Sequence, residues 1–276
     1  MVRIISDTST MYSTHQAKEA GFSVSPLSVS IAGESYRELD EIIWDRFVEL
    51  IRQGNMPTSS QPAIGEVMDL YEAYAGEEIV NIAMADGLSG TYQSAVAAAE
   101  GDARITVINS TTLCGPHRYM VEQAAKLAAQ GATKQEIIDA VHTMMQSDLS
   151  FLMPDDFDYL RRGGRLSPLV SFVGKTIRLA PVLTQSEDGK QLTMAGVKRS
   201  FKQAIEHVIK ALEKHGVGDG WRIYITHAAA IEKAEQAKAM LLAQFPTAAY
   251  EIHPLTPAFI TQGGPGCVAV QVIKEL

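Results

Sequence analysis

The sequence predicts an α/β fold in two domains. Short β-branched runs alternate with helical patterns over the first half of the 276 residues, whereas the second half begins with two paired extended runs. Apolar strands that alternate with amphipathic helices are typical of a parallel sheet with helices on both faces. We therefore predict an α/β domain with hydroxyl-rich strand-exit loops over residues 1–150. An α+β domain is predicted over residues 151–276.

Three runs of the first half have the composition of buried strands: residues 2–6, 78–84 and 104–109. A helix is predicted over residues 41–53, where five apolar side chains share one helical face and Gly54 ends the pattern. Another helix is predicted to begin at Thr133, because Thr133 and Glu136 have the spacing of a capping box.

Residues 177–197 predict a β-hairpin, since two extended runs flank Glu187-Asp188-Gly189. Ser200 and Gln203 have capping-box spacing and predict that a helix begins there. Further strands and a helix complete the second domain: strands over 221–226, 249–253 and 267–273, and a helix near 230–245.

The charge, the cysteine count and the apolar runs of the sequence argue against several classes of function. The net charge is −8 and basic residues form no run, which argues against nucleic-acid binding. Cys114 and Cys267 are far apart, which indicates a reducing compartment with neither a disulfide framework nor a metal site. The N-terminus has no leader pattern, and no apolar run of about eighteen residues is present. We predict a cytoplasmic protein without stable membrane insertion.

Hydroxyl side chains gather where three predicted strands end, at residues 6–10, 88–91 and 109–112. In an open parallel sheet these exits lie along one edge, where ligands usually bind. Helix N-termini at that edge offer free amides to an anion. Ser, Thr and Asp are also ordinary N-cap residues, so capping alone stays open as an alternative.

Ser89 raises the question of nucleophilic catalysis. The elbow of an α/β-hydrolase needs G-x-S-x-G, but in Gly87-Leu88-Ser89-Gly90-Thr91 the second glycine comes one place early. A nucleophile also needs a positioned base, and none of the seven histidines has a context that marks it as one. A binding hydroxyl is the favoured interpretation of Ser89, with a serine esterase as the alternative.

Two apparent nucleotide motifs lack their required context. Gly174-Lys175-Thr176 resembles the end of a phosphate loop, but Leu169 occupies the place of its first glycine. Residues 264–269 fit a dinucleotide glycine pattern, yet a strand-like chain end follows instead of a helix. No cofactor is predicted.

Two further loops stand out. Residues 56–63 form a hydroxyl-rich segment with Pro57 and Pro62, which is also typical of a turn before a helix. Residues 158–168 place three arginines around a glycine pair, which is also typical of a helix end capped by Gly163.

Together these segments resemble the DegV family. Its pattern has an early Asp-Ser/Thr, a T-S-Q-P loop, an S-G-T-Y motif, a Y-L-x-x-G-G-R motif and a closing H-x-G-P-G. The counterparts here, in the same order, are Asp7-Thr8, Ser59-Ser60-Gln61-Pro62, Ser89-Gly90-Thr91-Tyr92, residues 159–165 and residues 262–266. The match runs from Ile4 to the C-terminus.

The resemblance implies a non-catalytic protein that holds one long-chain fatty acid in a tunnel between its two domains. Some members present that acid to a separate fatty-acid kinase, which converts the carboxylate to an acyl phosphate. The family's carboxylate contacts fall on Ser59, Ser89 and Gln262. We assign the head group to these residues and their neighbours: Ser60, Gly90, Thr91 and Gly263.

Two of these contacts depart from the family pattern. Ser59 in place of threonine keeps the hydroxyl, whereas Gln262 in place of histidine can donate a hydrogen bond but never be charged. Charged hydrogen bonds are roughly twice as strong as neutral ones, so Gln262 weakens the case for tight head-group binding and for a kinase partner. Arg165 and Arg199 are candidate contacts to a partner or the head group; for Arg199 a solvated helix-start charge is the alternative.

The acyl chain would lie among apolar side chains, where each buried CH2 contributes about 0.8 kcal/mol. Residues 142–146 and 167–183 are candidate tunnel walls, with ordinary core as the alternative. A third functional hypothesis is a regulatory protein whose lipid gates a partner surface around Arg161, Arg162 and Arg165.

Overall fold

The computed structural model describes residues 1–167, 179–187 and 189–276. These residues form two compact units. The first consists of Met1–Gln146 together with Thr256–Ala258 and Leu276, and the second of Ser147–Leu255 and Phe259–Glu275. The Gly174-Lys175-Thr176 segment, Asp188 and most of the candidate tunnel wall at 167–183 lie outside the described residues.

The first unit alternates strands and helices. Its described strands are β1 Val2–Asp7, β2 Ser23–Ser25, β3 Ser28–Ile31, β4 Glu34–Arg37, β5 Thr58–Ser60, β6 Glu78–Ala83 and β7 Ile105–Asn109. Its described helices are α1 Thr14–Glu19, α2 Trp44–Arg52, α3 Ile64–Ala73, α4 Thr91–Ala98, α5 Cys114–Ala129 and α6 Lys134–Met145.

The predicted parallel sheet is confirmed, in the order β2-β1-β6-β7 with every neighbouring pair parallel. Ile5, Ile79 and Ile82 are fully buried in it, as expected of strands covered on both faces. The order reverses between β1 and β6, and ligands bind beyond the carboxyl ends of strands at such a reversal. Because β1, β6 and β7 run parallel, the loops that follow them lie at one edge of the sheet, as predicted.

A small antiparallel sheet, β4-β3-β5, was not predicted. Its strands are only three or four residues long, and β4 and β5 are polar at nearly every position, so only the four residues of β3 alternate between polar and apolar. β5 pairs with β3 and contains Ser59 and Ser60.

Helix α2 begins three residues later than the predicted residue 41. Residues before it form a turn in which Leu39 has a φ of 66° and its amide donates to the carbonyl of Ile42. Such a turn is incompatible with helical backbone, so the helix begins only at Trp44.

The second unit contains a mixed sheet. Its described strands are β8 Leu149–Met153, β9 Ala180–Gln185, β10 Leu192–Lys198, β11 Trp221–His227, β12 Ala249–Pro254 and β13 Val268–Lys274. The described helices are α7 Phe157–Gly163, α8 Phe201–His215, α9 Ile231–Gln244 and α10 Pro257–Gly263, of which α10 begins in residues grouped with the first unit.

The strand order is β10-β9-β8-β13-β11-β12, and only β11 and β12 run parallel among the described pairs. The predicted hairpin is present as β9 and β10, and the strands predicted at 221–226, 249–253 and 267–273 are confirmed. Helices α8 and α9 cover one face of the sheet with apolar side chains: Ile205, Val208, Leu212, Ala237 and Leu241.

The predicted helix ends are confirmed only in part. Thr133 and Glu136 form the complete capping box. Ser200 accepts from the Gln203 amide, but the Gln203 side chain accepts from the amide of Arg199, so only half of that box forms. The alternative interpretation of residues 158–168, a helix end capped by Gly163, is wrong only in the capping residue: Gly163 stays helical, while Gly164 takes the left-handed conformation with a φ of 69°. None of the helices in the described residues is long and apolar enough to cross a membrane.

Candidate functional site

Asp7, the last residue of β1, makes hydrogen bonds within the protein. Asp7 is buried; its Oδ1 accepts from the Ser9 amide at 2.9 Å and its Oδ2 from the Met84 amide at 3.0 Å. The carboxylate thereby joins the exits of β1 and β6 where the strand order reverses. Capping is therefore the role that the structure shows for this motif.

His117 on α5 is part of the same buried network, and no local sequence motif indicates this role. Its Nδ1 lies 2.6 Å from Ser9 Oγ, and its Nε2 lies 3.0 Å from the carbonyl oxygen of Ile82. Burial lowers the pKa of His117, which favours the neutral ring. The histidine therefore links β1 to β6 as a structural residue.

Ser89 lies in the turn between β6 and α4. Its Oγ is 2.8 Å from Thr91 Oγ1 and accepts from the Thr91 amide at 3.3 Å. Gly90, the residue before α4, has no side chain to cap the first-turn amides. Within the described part of the chain no hydrogen bond joins Ser89 to a histidine, so the geometry does not favour the esterase alternative.

Gln61 brings the hydroxyl loop against this turn. A Cβ atom built on Gly90 would overlap Gln61 Oε1, so only glycine allows the glutamine to lie there. Ser59 and Ser60 come immediately before Gln61, at half-buried and exposed positions of β5. The structure thus brings the 59–61 segment to the Ser89 turn, through a residue to which the sequence analysis assigned no role.

The side chain of Asn109 stabilises the loop that follows β7. Asn109 Oδ1 accepts from the Thr111 amide at 3.1 Å and from the Asp86 amide at 3.3 Å. Residues 109–112 therefore fold around Asn109 beside the loop that leads to Ser89.

Gln262 and Gly263 lie at the end of α10, in the second unit. A Cβ atom on Gly163 would overlap Gln262 Oε1, and one on Gly264 would come within 2.6 Å of the Tyr159 ring. The mid-chain glycine motif and the closing motif therefore pack against each other within this unit. The structure does not show what Gln262 binds, and its head-group role stays a prediction.

The two predicted arginines occupy different settings. Arg165 is half-buried and donates to the carbonyl of Gly163, at the carbonyl end of α7, where a cation is favourable. Arg199 is exposed just before α8. Their contacts to a partner or a ligand stay predictions.

A second apolar cluster lies beside α7. Phe157, Leu160 and Leu183 are buried, and four partly buried side chains pack against them: Leu152, Leu166, Leu192 and Met194. Because side chains alternate along a strand and the neighbours of Leu152 and Leu183 belong to the core under α8 and α9, this cluster lies on the opposite face of the sheet. Of the other candidate wall, Met144 is buried within the first unit.

No group of His, Cys, Asp and Glu with metal-binding geometry occurs in the ranges that the structure describes.

The fold and the Ser89 turn define an α/β protein with a candidate anion site at the carboxyl edge of a parallel sheet. Comparison with known proteins makes this more specific. The family model described as "Uncharacterised protein, DegV family" matches residues 1–275, and the chain belongs to the DegV family.

Relatives and solved structures match along almost the whole chain. A DegV domain-containing protein of Listeria monocytogenes is 29% identical, covering 98% of this chain and 97% of its own. The crystal structure of DegV from Bacillus subtilis, described as a fatty acid binding protein, is 27% identical with a TM-score of 0.87 and 99% coverage of both chains. A Thermus thermophilus DegV family structure, described by its fatty acid binding, has a TM-score of 0.90 at 24% identity and 99% coverage of both chains.

Proposed function

We propose that the protein binds one long-chain fatty acid without catalysing a reaction itself, and that the carboxylate binds at the Ser89 turn. The observation that supports this most directly is the pair of hydroxyls, Ser89 Oγ and Thr91 Oγ1, 2.8 Å apart at the start of α4. The Bacillus subtilis relative, described as a fatty acid binding protein, makes a fatty acid the favoured anion.

The hydroxyl pair has the right donors for a carboxylate. When Thr91 Oγ1 donates its proton to Ser89 Oγ, the Ser89 proton is available to an incoming oxygen, and the Thr91 bond polarises it further. The amides in the first turn of α4 add donors and the positive end of the helix dipole. Hydrogen bonds to a charged acceptor contribute about 1.5–3 kcal/mol each.

Gln61 brings the hydroxyl loop to this turn. Its side chain lies against Gly90, and it directly follows Ser59 and Ser60, which β5 holds by pairing with β3. We therefore include Ser59, Ser60, Gly90 and Thr91 in the proposed head-group site. Gln262 and Gly263 belong to the second unit, and their part in binding rests on the family resemblance alone.

The acyl chain is expected among apolar side chains, where each buried methylene contributes about 0.8 kcal/mol. Four side chains beside Leu160 in the second unit are only partly buried and retain apolar surface: Leu152, Leu166, Leu192 and Met194. The place of the acyl chain, the tunnel, a kinase partner and a cytoplasmic location stay predictions.

A binding titration with a fluorescent long-chain fatty acid tests the head-group assignment. We expect Ser89→Ala to weaken binding about 10- to 100-fold, because it removes one hydrogen bond to a charged carboxylate. Ser35→Ala is the matched control, since Ser35 is an exposed serine on β4 whose hydroxyl bonds Ser30, and it should bind as the wild type does. Equal affinity of all three proteins would reject Ser89 as a head-group contact.

A further inference from the structure

Glu38 is a fully buried carboxyl group in the first unit, and the proposed fatty-acid site does not use it. Thr8 Oγ1 donates to its Oε1 at 2.5 Å, and the amide of Ala258 donates to its Oε2 at 2.8 Å. The two donors come from opposite ends of the chain. One carboxyl group therefore joins the turn after β1 to the segment Thr256–Ala258.

The bond to Ala258 completes the start of α10. Ala258 is the second residue of this helix, and the first amides of a helix have no acceptor within it. Glu38 supplies that acceptor from a distant part of the chain. Thr8 is fixed in turn, because its Oγ1 accepts from the Leu27 amide at 3.0 Å.

The surroundings of Glu38 favour its protonated form. Burial raises the pKa of Glu38 to about 7, and the negative charge of Asp7 adds to the rise. The hydrogen bonds from the Thr8 hydroxyl and the Ala258 amide act against it. On its own segment, Arg37 lies at the surface, where it pairs with Asp40 and Glu66 at 3.6 Å each.

We propose that Glu38 is a positioning residue that holds the Thr256–Ala258 segment against Thr8 and releases it more readily once the carboxyl has lost its proton to solvent. A carboxylate is stabilised by water, so the open segment favours the charged form and the closed segment the neutral one. Because α10 continues to Gln262 and Gly263, the released segment leads directly into two predicted head-group residues. The proposal itself is independent of fatty-acid binding.

Amide hydrogen exchange of the full-length protein across a pH series tests this proposal. The protection factor of the Ala258 amide, corrected for intrinsic exchange, measures the opening of the segment. Opening with loss of one proton predicts about a tenfold fall in protection for each pH unit between about 5 and 7, and no further fall above 7. Protection that is constant over this range would overturn the proposal.

Two variants attribute the effect to Glu38. Glu38→Gln cannot ionise and should give protection independent of pH, whereas Glu41→Gln, at an exposed position of the same segment, should keep the wild-type slope. A wild-type slope in Glu38→Gln would overturn the proposal. Thr8→Val removes a hydrogen bond that favours the carboxylate, so the pH at which protection stops falling should be higher than in the wild type. The Thr8→Val and wild-type series test the proposal even if Glu38→Gln does not fold.

Discussion

Gly90 in the first unit and Gly163 in the second each lie against a glutamine side chain. Gly90 does so at the start of one helix and Gly163 at the end of another. At each, a Cβ atom would overlap the Oε1 atom of a glutamine, Gln61 at Gly90 and Gln262 at Gly163. Gly90 directly precedes α4, whereas Gly163 is the last residue of α7. The positive end of a helix dipole lies at its start and the negative end at its finish.

This difference separates the two regions by the charge that they attract. The Gly90 turn presents amides and two hydroxyls, which suit an anion. At Gly163 the carbonyl end of α7 attracts a cation, and Arg165 donates to the Gly163 carbonyl. The first region is therefore suited to bind the carboxylate, whereas the neutral Gln262 side chain is compatible with the negative end of a helix.

Of the two glycine substitutions, the larger effect is expected from Gly90→Ala. The new methyl group displaces the Gln61 carboxamide from the start of α4, inside the proposed head-group site, so we expect fatty-acid affinity to fall about 10-fold. The binding titration measures this. Gly65→Ala is the control, because nothing lies within 4 Å of its Cβ position and its φ is not positive.

A double-mutant cycle identifies the cause. Gln61→Ala should remove most of the extra cost of Gly90→Ala, since the methyl group then fills space that the glutamine has left. Additive effects of the two substitutions would contradict the role that we assign to the Gln61 contact.

A smaller effect is expected from Gly163→Ala. It displaces Gln262, which is neutral and contributes at most an ordinary hydrogen bond of about 0.5–1.5 kcal/mol, so we expect affinity to fall no more than about 10-fold. The same titration checks this, with Gly218→Ala as the control because its Cβ position is open. A loss larger than that of Gly90→Ala would reverse the ranking of the two regions.

Strands of the two larger sheets were predictable where burial leaves an apolar pattern. β1, β6, β11 and β13 are rich in apolar residues and are buried at nearly every position. The three-residue strand β5 leaves too little pattern to predict. Its position nonetheless decides where Ser59 and Ser60 lie.

Parts of the candidate site could be found from sequence only as motifs. Ser89 and Gly90 stood out because a strand ends in a glycine-rich turn. The contact of Gly90 with Gln61, however, joins segments that are distant in the chain. Glu38 gave no signal, since an acidic residue in a polar stretch is ordinarily exposed and only the fold buries it. Contacts of this kind depend on tertiary packing and not on local pattern.

Native mass spectrometry of the purified protein, followed by denaturation and extraction, tests the central claim most directly. The account predicts a long-chain fatty acid at one molecule per chain, or its uptake to that stoichiometry when fatty acid is added to empty protein. A protein that is isolated empty and takes up no added fatty acid would contradict the account.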